Sequence, residues 1–270
     1  MSLEPQKIKV FPKTIIISGK NRIFSIPNKY TKEKQREFLE LISTINLPKY
    51  VFSQKGYFFA DKAKYHLHDK YLINIDIKNF YPSIHFRNIA KIYSELGIQS
   101  DQISKITFLT TFNQHLPLGF VTSPFLCNLI MNKIDSDIFN CSCCRNIKYS
   151  RYFDDITFSC NKTIPDIFLK KIEKILTRKG FRLNPKKTEF FKPSDTKKVL
   201  GLILEGNDIN ISQDYLNKVI TDIKDLEFLI KIGGDYKNFE MQVQGEINFV
   251  RQIKLPIYTY LIEKYPFLKS

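Results

Sequence analysis

Two adjacent carboxylates, Asp154 and Asp155, are the residues in this 270-residue sequence whose type and spacing most directly suggest chemistry. They lie between the aromatic and β-branched runs 147–153 and 156–158. This pattern predicts two strands joined by a tight turn with both acids at its tip. Neighbouring side chains on a strand point to opposite faces, so an Asp-Asp pair alone is more typical of a solvated turn.

A third carboxylate favours a functional interpretation of that pair. Asp76 lies near the end of the apolar run 71–77, which is typical of a buried central strand. A buried acid is costly unless it is paired or binds a metal. Three carboxylates at the ends of neighbouring strands could bind two divalent cations about 4 Å apart, the arrangement that supports in-line phosphoryl transfer.

The overall composition predicts a globular protein with a polyanionic partner. Apolar residues make up 43% of the chain, which is long enough for one large domain or two lobes. Its 42 Lys and Arg against 27 Asp and Glu give a net charge of +15. Nucleic acid is therefore the expected partner, and a membrane surface is the competing one. We find neither an amphipathic anchor, an apolar span nor a secretion signal, so we expect a cytoplasmic protein without membrane association.

Two further groups could bind metal, but other interpretations are favoured. The Cys141–Cys144 run suggests zinc, yet it lacks a second pair, and a surface or hairpin-loop cluster of free thiols is the favoured interpretation. His66 and His68 lack a nearby Cys or Glu, which favours contact with a nucleic-acid backbone or plain surface.

Two segments could approach a nucleotide. Runs 8–17 and 23–26 predict a hairpin whose basic tip, 18–22, could hold a triphosphate or be an ordinary turn. Segment 116–128 predicts a Pro-x-Gly turn that leads into a helix reaching about Phe139. Main chain around Gly119 could pass close to a nucleotide or template, although the segment alone is only a well-capped helix.

The remaining patterns predict further helices and two short strands. From residue 212 they predict a separate helical lobe, with a turn or hinge at Gly233-Gly234. Gly201, inside a predicted strand, would permit another backbone to lie close. The other predicted helices cover 32–45, 86–96, 102–112 and 164–179, and the strands cover 189–192 and 198–204.

Six motifs in this order resemble a bacterial reverse transcriptase of the retron type. They are K-N-R-I-F-S-I-P-N-K-Y-T-K-E-K-Q at 20–35, I-D-I-K-N-F-Y-P-S-I at 75–84, L-P-L-G-F-V-T-S-P at 116–124, Y-F-D-D at 152–155, L-N-P-K-K-T at 183–188 and V-L-G-L at 199–202. Three positions depart from the retron pattern: Leu118 replaces a glutamine, K-A-K-Y-H at 62–66 lacks an asparagine, and V-L-G replaces V-T-G.

The resemblance implies an α/β (α+β) right-hand polymerase. Fingers would comprise 1–75 and 86–115, and the palm, an antiparallel sheet with helices, would comprise 76–85 and 116–206. A small helical thumb would comprise 207–270.

The resemblance also implies a role for each motif. Asp76, Asp154 and Asp155, with the Ile77 main chain, would hold two Mg²⁺ ions, or Mn²⁺, beside the incoming triphosphate. Lysine at 186 or 187, with Lys187 preferred, would protonate the pyrophosphate leaving group. Nucleotide contacts would come from Lys20, Arg22, Gly119 and Tyr81, where Tyr81 excludes a ribose 2′-hydroxyl. The primer end would be gripped by Val199, Leu200, Gly201 and Leu202.

A retron enzyme copies a noncoding RNA into RNA-linked single-stranded DNA (msDNA), commonly in antiphage defence. The implied partners are that RNA, its RNA–DNA product, deoxynucleoside triphosphates and an effector protein. Two alternatives stay open: an untemplated or protein-primed abortive-infection polymerase, and an RNA-binding scaffold that restrains a toxic effector. The three intact acids argue against the scaffold.

Overall fold

A computed structural model of the protein describes residues 3–17, 20–233 and 236–269. The chain forms two compact units, Met1–Phe58 with Lys70–Phe190 and Phe59–Asp69 with Phe191–Ser270. The strands are β1 (Val10–Ile17), β2 (Lys20–Pro27), β3 (Tyr71–Asp76), β4 (Lys148–Tyr152), β5 (Asp155–Cys160), β6 (Glu189–Phe191), β7 (Lys197–Val199), β8 (Leu202–Glu205) and β9 (Asp208–Ile211). The helices are α1 (Lys29–Ile42), α2 (Phe59–Tyr65), α3 (Phe80–Ser83), α4 (Phe86–Glu95), α5 (Ser100–Thr110), α6 (Ser123–Cys143), α7 (Asp166–Arg178), α8 (Gln213–Lys231), α9 (Lys237–Ile253) and α10 (Leu255–Lys264).

The first unit is built around a sheet with strand order β4-β5-β3-β6, in which β5 pairs antiparallel with both β3 and β4. Strand β3 is central, and its residues 72–75 are buried, as its continuous apolar run predicts. Helices α6 and α7 supply buried residues to the same core. The Phe168 ring of α7 packs edge-on against Phe158 of β5, with ring centroids 5.1 Å apart. The predicted α+β class is confirmed.

The first hairpin differs from the prediction at its tip. Strand β2 begins at Lys20, which pairs with Ile17, so Lys20 and Arg22 lie in a strand and not in a five-residue basic tip. Residues 18 and 19 lie outside the described residues, as does the Lys20 side chain. The Ser25 N–H of β2 donates to the Leu118 carbonyl, at 2.8 Å, and so ties this hairpin to the L-P-L-G turn.

The second unit combines the antiparallel sheet β7-β8-β9 with α2 and helices α8 to α10. Its core contains Ile211 of β9 with apolar residues of the three long helices. Three helices follow residue 212, as predicted, but the compact unit that contains them begins at Phe191 and also includes a sheet and α2. Gly234 of the predicted hinge lies outside the described ranges. Among the helices described in the structure, none has both the length and the apolarity needed to cross a bilayer.

Three local predictions were wrong in whole or in part. Gly201 lies in the turn between β7 and β8, where its φ of 79° and not a close backbone explains the glycine. His66 is fully buried and is not a surface residue. The cysteine run is not in a hairpin loop, because α6 continues to Cys143 and buries Cys141. The alternative of a surface cluster of free thiols is confirmed for Cys143 and Cys144, which are exposed and free.

Candidate active site

Strand register brings the three predicted acids together. Antiparallel pairing of β3 with β5 places Asp76 opposite Asp155. One residue further on, the Ile77 N–H donates to the Asp154 carbonyl, at 3.0 Å. The acids therefore share one end of two neighbouring strands.

The turn that carries Asp154 is tighter than the prediction. Tyr152 pairs with Asp155, so the turn consists of Phe153 and Asp154, and Asp155 opens β5 instead of sharing the tip. Phe153 has a φ of 53°. Positive φ suits a two-residue hairpin turn but is unfavourable for a bulky residue, so the surroundings must hold this conformation.

A buried arginine supplies that constraint. Arg151 of β4 donates from Nη1 to the Phe153 carbonyl, at 3.0 Å. Its Nε and Nη2 donate to the two carboxylate oxygens of Asp135 on α6, at 2.8 and 2.7 Å. Both side chains are 0% exposed, so the pair lies in a region where an unpaired charge would be very costly.

A second set of hydrogen bonds holds the other side of the turn. The Phe153 N–H donates to the Ser53 hydroxyl, at 3.2 Å. Asn128 of α6 accepts from both Ser53 Oγ and Arg151 Nη1, at 3.0 and 2.9 Å. The turn is therefore fixed through both its N–H and its carbonyl.

Sequence reasoning missed Ser53, Asn128, Asp135 and Arg151. The signal that could have found two of them was a charge between residues of a buried type, because Asp135 lies in the apolar helix α6 and Arg151 lies between the aromatic residues Tyr149 and Tyr152 of β4. Nothing in the sequence showed that those two charges pair with each other.

The acids lie in an environment that disfavours their combined negative charge. The pKa of Asp154 is raised chiefly by burial, and the charges of Asp76 and Asp155 raise it further, whereas the Lys187 ammonium opposes the shift. Lys187 Nζ lies 2.5 Å from Asp76 Oδ1. Asn184 donates its side-chain amide to the other Asp76 oxygen, at 3.1 Å. The Lys187 ammonium therefore compensates part of the negative charge of the three carboxylates.

The donor chemistry of this cluster fits a hard divalent cation, which prefers carboxylate oxygens. No group of three or more His, Cys, Asp or Glu side chains forms a ready metal cage in the described ranges. The Lys187 ammonium occupies one Asp76 oxygen, so a metal at Asp76 would compete with it.

Tyr81 is also close to this cluster. It lies on the short helix α3, with its hydroxyl 4.0 Å from Cys127 Sγ on α6. Burial is the main cause of its raised pKa, and the charge of Asp154 adds to the shift. Asp76, Asp154, Asp155, Lys187 and Tyr81 are therefore brought together.

Gly119 has a structural reason to be glycine. Its φ is 107°, and an added Cβ would lie 2.8 Å from the Ser25 carbonyl oxygen. This backbone contact joins the L-P-L-G turn to β2.

The other predicted contact residues lie on β2 and in the hairpin of β7 and β8. Arg22 is exposed on β2 and makes no ion pair with the three acids in the part of the chain described. Val199 and Leu202 are buried and paired in the second unit, on either side of Leu200 and Gly201, whose φ angles are 51° and 79°.

The sequence matches the model of the family "Reverse transcriptase (RNA-dependent DNA polymerase)" over residues 11–204. Among curated proteins it is 28% identical to the retron Ec86 reverse transcriptase of Escherichia coli, covering 62% of this chain and 52% of that protein. It is 30% identical to the retron Se72 reverse transcriptase of Salmonella heidelberg, covering 59% of this chain and 44% of that protein. The chain thus spans about half the length of these relatives. The resemblance to retron reverse transcriptases is confirmed.

Solved structures show the same fold at low identity. Apo telomerase from Candida tropicalis matches with a TM-score of 0.54 at 16% identity, covering 78% of this chain and 56% of that one. Telomerase from Candida albicans, in complex with a telomeric RNA fragment, matches with a TM-score of 0.53 at 12% identity, covering 97% of this chain and 57% of that one. The right-hand polymerase fold is confirmed.

Replacing Arg151 by Met should lower the free energy of unfolding by about 3–5 kcal/mol, because Asp135 is left buried without its cationic partner. The double variant Arg151→Met, Asp135→Leu should recover a large part of that loss. Urea unfolding measures both. Equal stability of the single and double variants would show that the pair does not hold this core together.

Replacing Gly119 by Ala should lower the free energy of unfolding by about 1–3 kcal/mol, because of the positive φ and the contact with Ser25. Gly245, inside α9, is the matched control, since an added Cβ meets nothing within 4 Å. Gly245→Ala should raise stability by about 0.5–1 kcal/mol. Thermal unfolding curves of the two variants should therefore shift in opposite directions, and a shift in the same direction would contradict this account of Gly119.

Proposed function

Since this chain belongs to the reverse transcriptase (RNA-dependent DNA polymerase) family, we propose that it copies a cognate noncoding RNA into single-stranded DNA that stays linked to the RNA. The observation that carries this proposal is the meeting of Asp76 with Asp154 and Asp155 at one end of β3 and β5. All three acids fall within the matched residues 11–204. The retron relatives support the RNA-linked product.

In this proposal Asp76, Asp154 and Asp155, with the Ile77 main chain, hold two Mg²⁺ ions, or Mn²⁺. When bound, such ions stabilise the attacking and leaving oxygens of an in-line phosphoryl displacement. The protein contributes a turn whose backbone is fixed by Arg151 and Ser53, so that the carboxylates are pre-positioned.

Lys187 is proposed to have two tasks at this site. Without metal, its ammonium neutralises Asp76, which explains why three acids can gather here. The Lys187 side chain is 42% exposed, and its ammonium, if displaced from Asp76 by a bound metal, would be available to donate a proton to the pyrophosphate leaving group. Asn184 keeps Asp76 oriented throughout, through its side-chain amide and its own N–H.

The remaining predicted contacts complete the proposal. Arg22 and Lys20 of β2 would bind the triphosphate, and the backbone near Gly119 would lie along the nucleotide. The turn at Leu200-Gly201 would grip the primer end. Support for that grip comes from Leu200, because a φ of 51° is unfavourable for a leucine and such strain is retained mainly at functional positions.

The proposed assembly follows from the relatives and the charge. Its partners are the noncoding RNA, the RNA–DNA product, deoxynucleoside triphosphates and an effector protein, and its setting is antiphage defence in the cytoplasm. The net charge of +15 supports a polyanionic partner. The fingers, palm and thumb boundaries given above belong to the same proposal.

Replacing Asp154 by Asn should abolish primer extension on poly(rA)·oligo(dT) in Mg²⁺. Removing several kcal/mol of transition-state stabilisation corresponds to a loss of about 10³-fold or more. Asp137→Asn is the matched control, because Asp137 is an exposed acid of α6. Retention of extension by Asp154→Asn, or an equal loss in the control, would contradict the proposed role.

The RNA-linked product can be tested by purifying the full chain from its native host and analysing the nucleic acid bound to it. Separate ribonuclease and deoxyribonuclease digestion, followed by sequencing, should show one RNA joined covalently to one short DNA. That species should be absent from the Asp154→Asn protein. DNA without a fixed template, or DNA joined to protein, would contradict RNA-linked copying.

Replacing Tyr81 by Ala should increase ribonucleotide incorporation relative to deoxynucleotide incorporation by about tenfold or more, because the ring would no longer exclude the 2′-hydroxyl. Tyr81→Phe keeps the ring and should keep the discrimination. The measurement is the ratio of kcat/KM for dTTP and UTP on the same template. Unchanged discrimination in Tyr81→Ala would rule out this role.

A further inference from the structure

A basic groove lies along α7, and none of its lining residues is among those assigned to catalysis. Its volume is about 430 Å³. Two isoleucines, Ile167 and Ile175, form its apolar part. Its other lining residues are cationic: Arg145, Lys170, Lys171, Lys174 and Arg178.

These cations carry charge that no acid of the groove compensates. In the part of the chain that the structure describes, the four cations of α7 make no ion pair or side-chain hydrogen bond, and Arg145 donates only to atoms of Cys141, including its carbonyl at 2.9 Å. Like charges four residues apart destabilise a helix. The sequence therefore keeps Lys170, Lys174 and Arg178 on one stripe in spite of their mutual repulsion.

Packing fixes the direction of this stripe. On the opposite face of α7, Phe168, Ile172 and Leu176 are buried in the core of the first unit. The edge-on contact between Phe168 and Phe158 holds the helix against the sheet. Lys170, Lys174 and Arg178 then repeat outward at steps of about 6 Å. A step of that size is close to the distance between successive phosphates of a nucleic-acid strand.

The groove suits a double helix better than a single strand. Proteins that hold single strands stack bases on aromatic side chains, and all seven lining residues are non-aromatic. Double-stranded RNA is recognised mainly through its shape, its phosphates and its 2′-hydroxyls. Ile167, 71% exposed between the cations, offers an apolar contact for ribose.

We propose that this face of α7 binds the sugar–phosphate backbone of a double-helical segment of the RNA partner, at a surface separate from the acids that act on the template. The proposal rests on the proposed function only in taking RNA as the partner. It gives the chain a way to hold a structured part of its RNA while another part is copied.

The test compares two triple variants of the full chain. Lys170→Gln, Lys174→Gln, Arg178→Gln removes three charges from the stripe. Lys49→Gln, Lys91→Gln, Lys105→Gln removes three exposed lysines of the same unit. Fluorescence anisotropy, without nucleotide or divalent metal, measures binding of a labelled RNA hairpin of about 20 base pairs over a range of KCl concentrations.

The α7 variant should bind the hairpin at least about tenfold more weakly at moderate salt, and its salt slope should fall by roughly 2–3, because each phosphate contact contributes about 0.9. The control variant should change the slope by less than about one. Equal changes in both variants, or an unchanged slope in the α7 variant, would overturn the proposal.

Two further measurements distinguish RNA binding by α7 from an effect on catalysis and from binding to a membrane. Extension of poly(rA)·oligo(dT) tests the proposed function by itself, since the hairpin assay needs no catalysis, and both variants should stay within about twofold of the wild type. Sedimentation with phosphatidylserine vesicles tests a membrane partner. If the α7 variant lost vesicle binding and kept its RNA slope, the RNA assignment would be wrong.

Discussion

The buried pair of Arg151 and Asp135 is the interaction on which the candidate site depends. A two-residue turn with positive φ at Phe153 is unfavourable without support. The guanidinium supports it by binding the Phe153 carbonyl while the Asp135 carboxylate compensates its charge. Helix α6, strand β4 and the Asp154 turn are thereby coupled into one rigid element. Removing either partner of such a buried pair would leave the other charge buried and uncompensated.

That rigidity serves a cluster whose own electrostatics are unfavourable. Asp76, Asp154 and Asp155 would repel one another if each were charged and unpaired, and the raised pKa of Asp154 reflects this together with burial. Lys187 offsets part of the repulsion in the free protein. The same arrangement would favour divalent cations, which bring more charge than one ammonium and bind oxygen ligands directly.

Sequence patterns predicted the acids because each lies at a recognisable position. Asp76 ends a continuous apolar run, and the Asp-Asp pair divides two β-branched runs, so strand pairing alone brings them together. The supporting network could not be predicted, since the distance between Arg151 and Asp135 is set by how α6 packs on the sheet. Gly201 was predicted in a strand and lies in a turn, because a glycine in a turn and a glycine in a strand give the same local sequence pattern. His66 was misjudged because burial of a polar residue depends on contacts distant in sequence.

Asp76, Asp154 and Asp155 are proposed to form one divalent-metal centre. Electron paramagnetic resonance of Mn²⁺ bound to the full chain, with a primer–template and a non-hydrolysable deoxynucleotide, tests it without any turnover. We expect two bound ions per chain in the wild type and a clear loss of binding in Asp76→Asn. Unchanged Mn²⁺ binding in Asp76→Asn would show that Asp76 is not a ligand and would contradict the account.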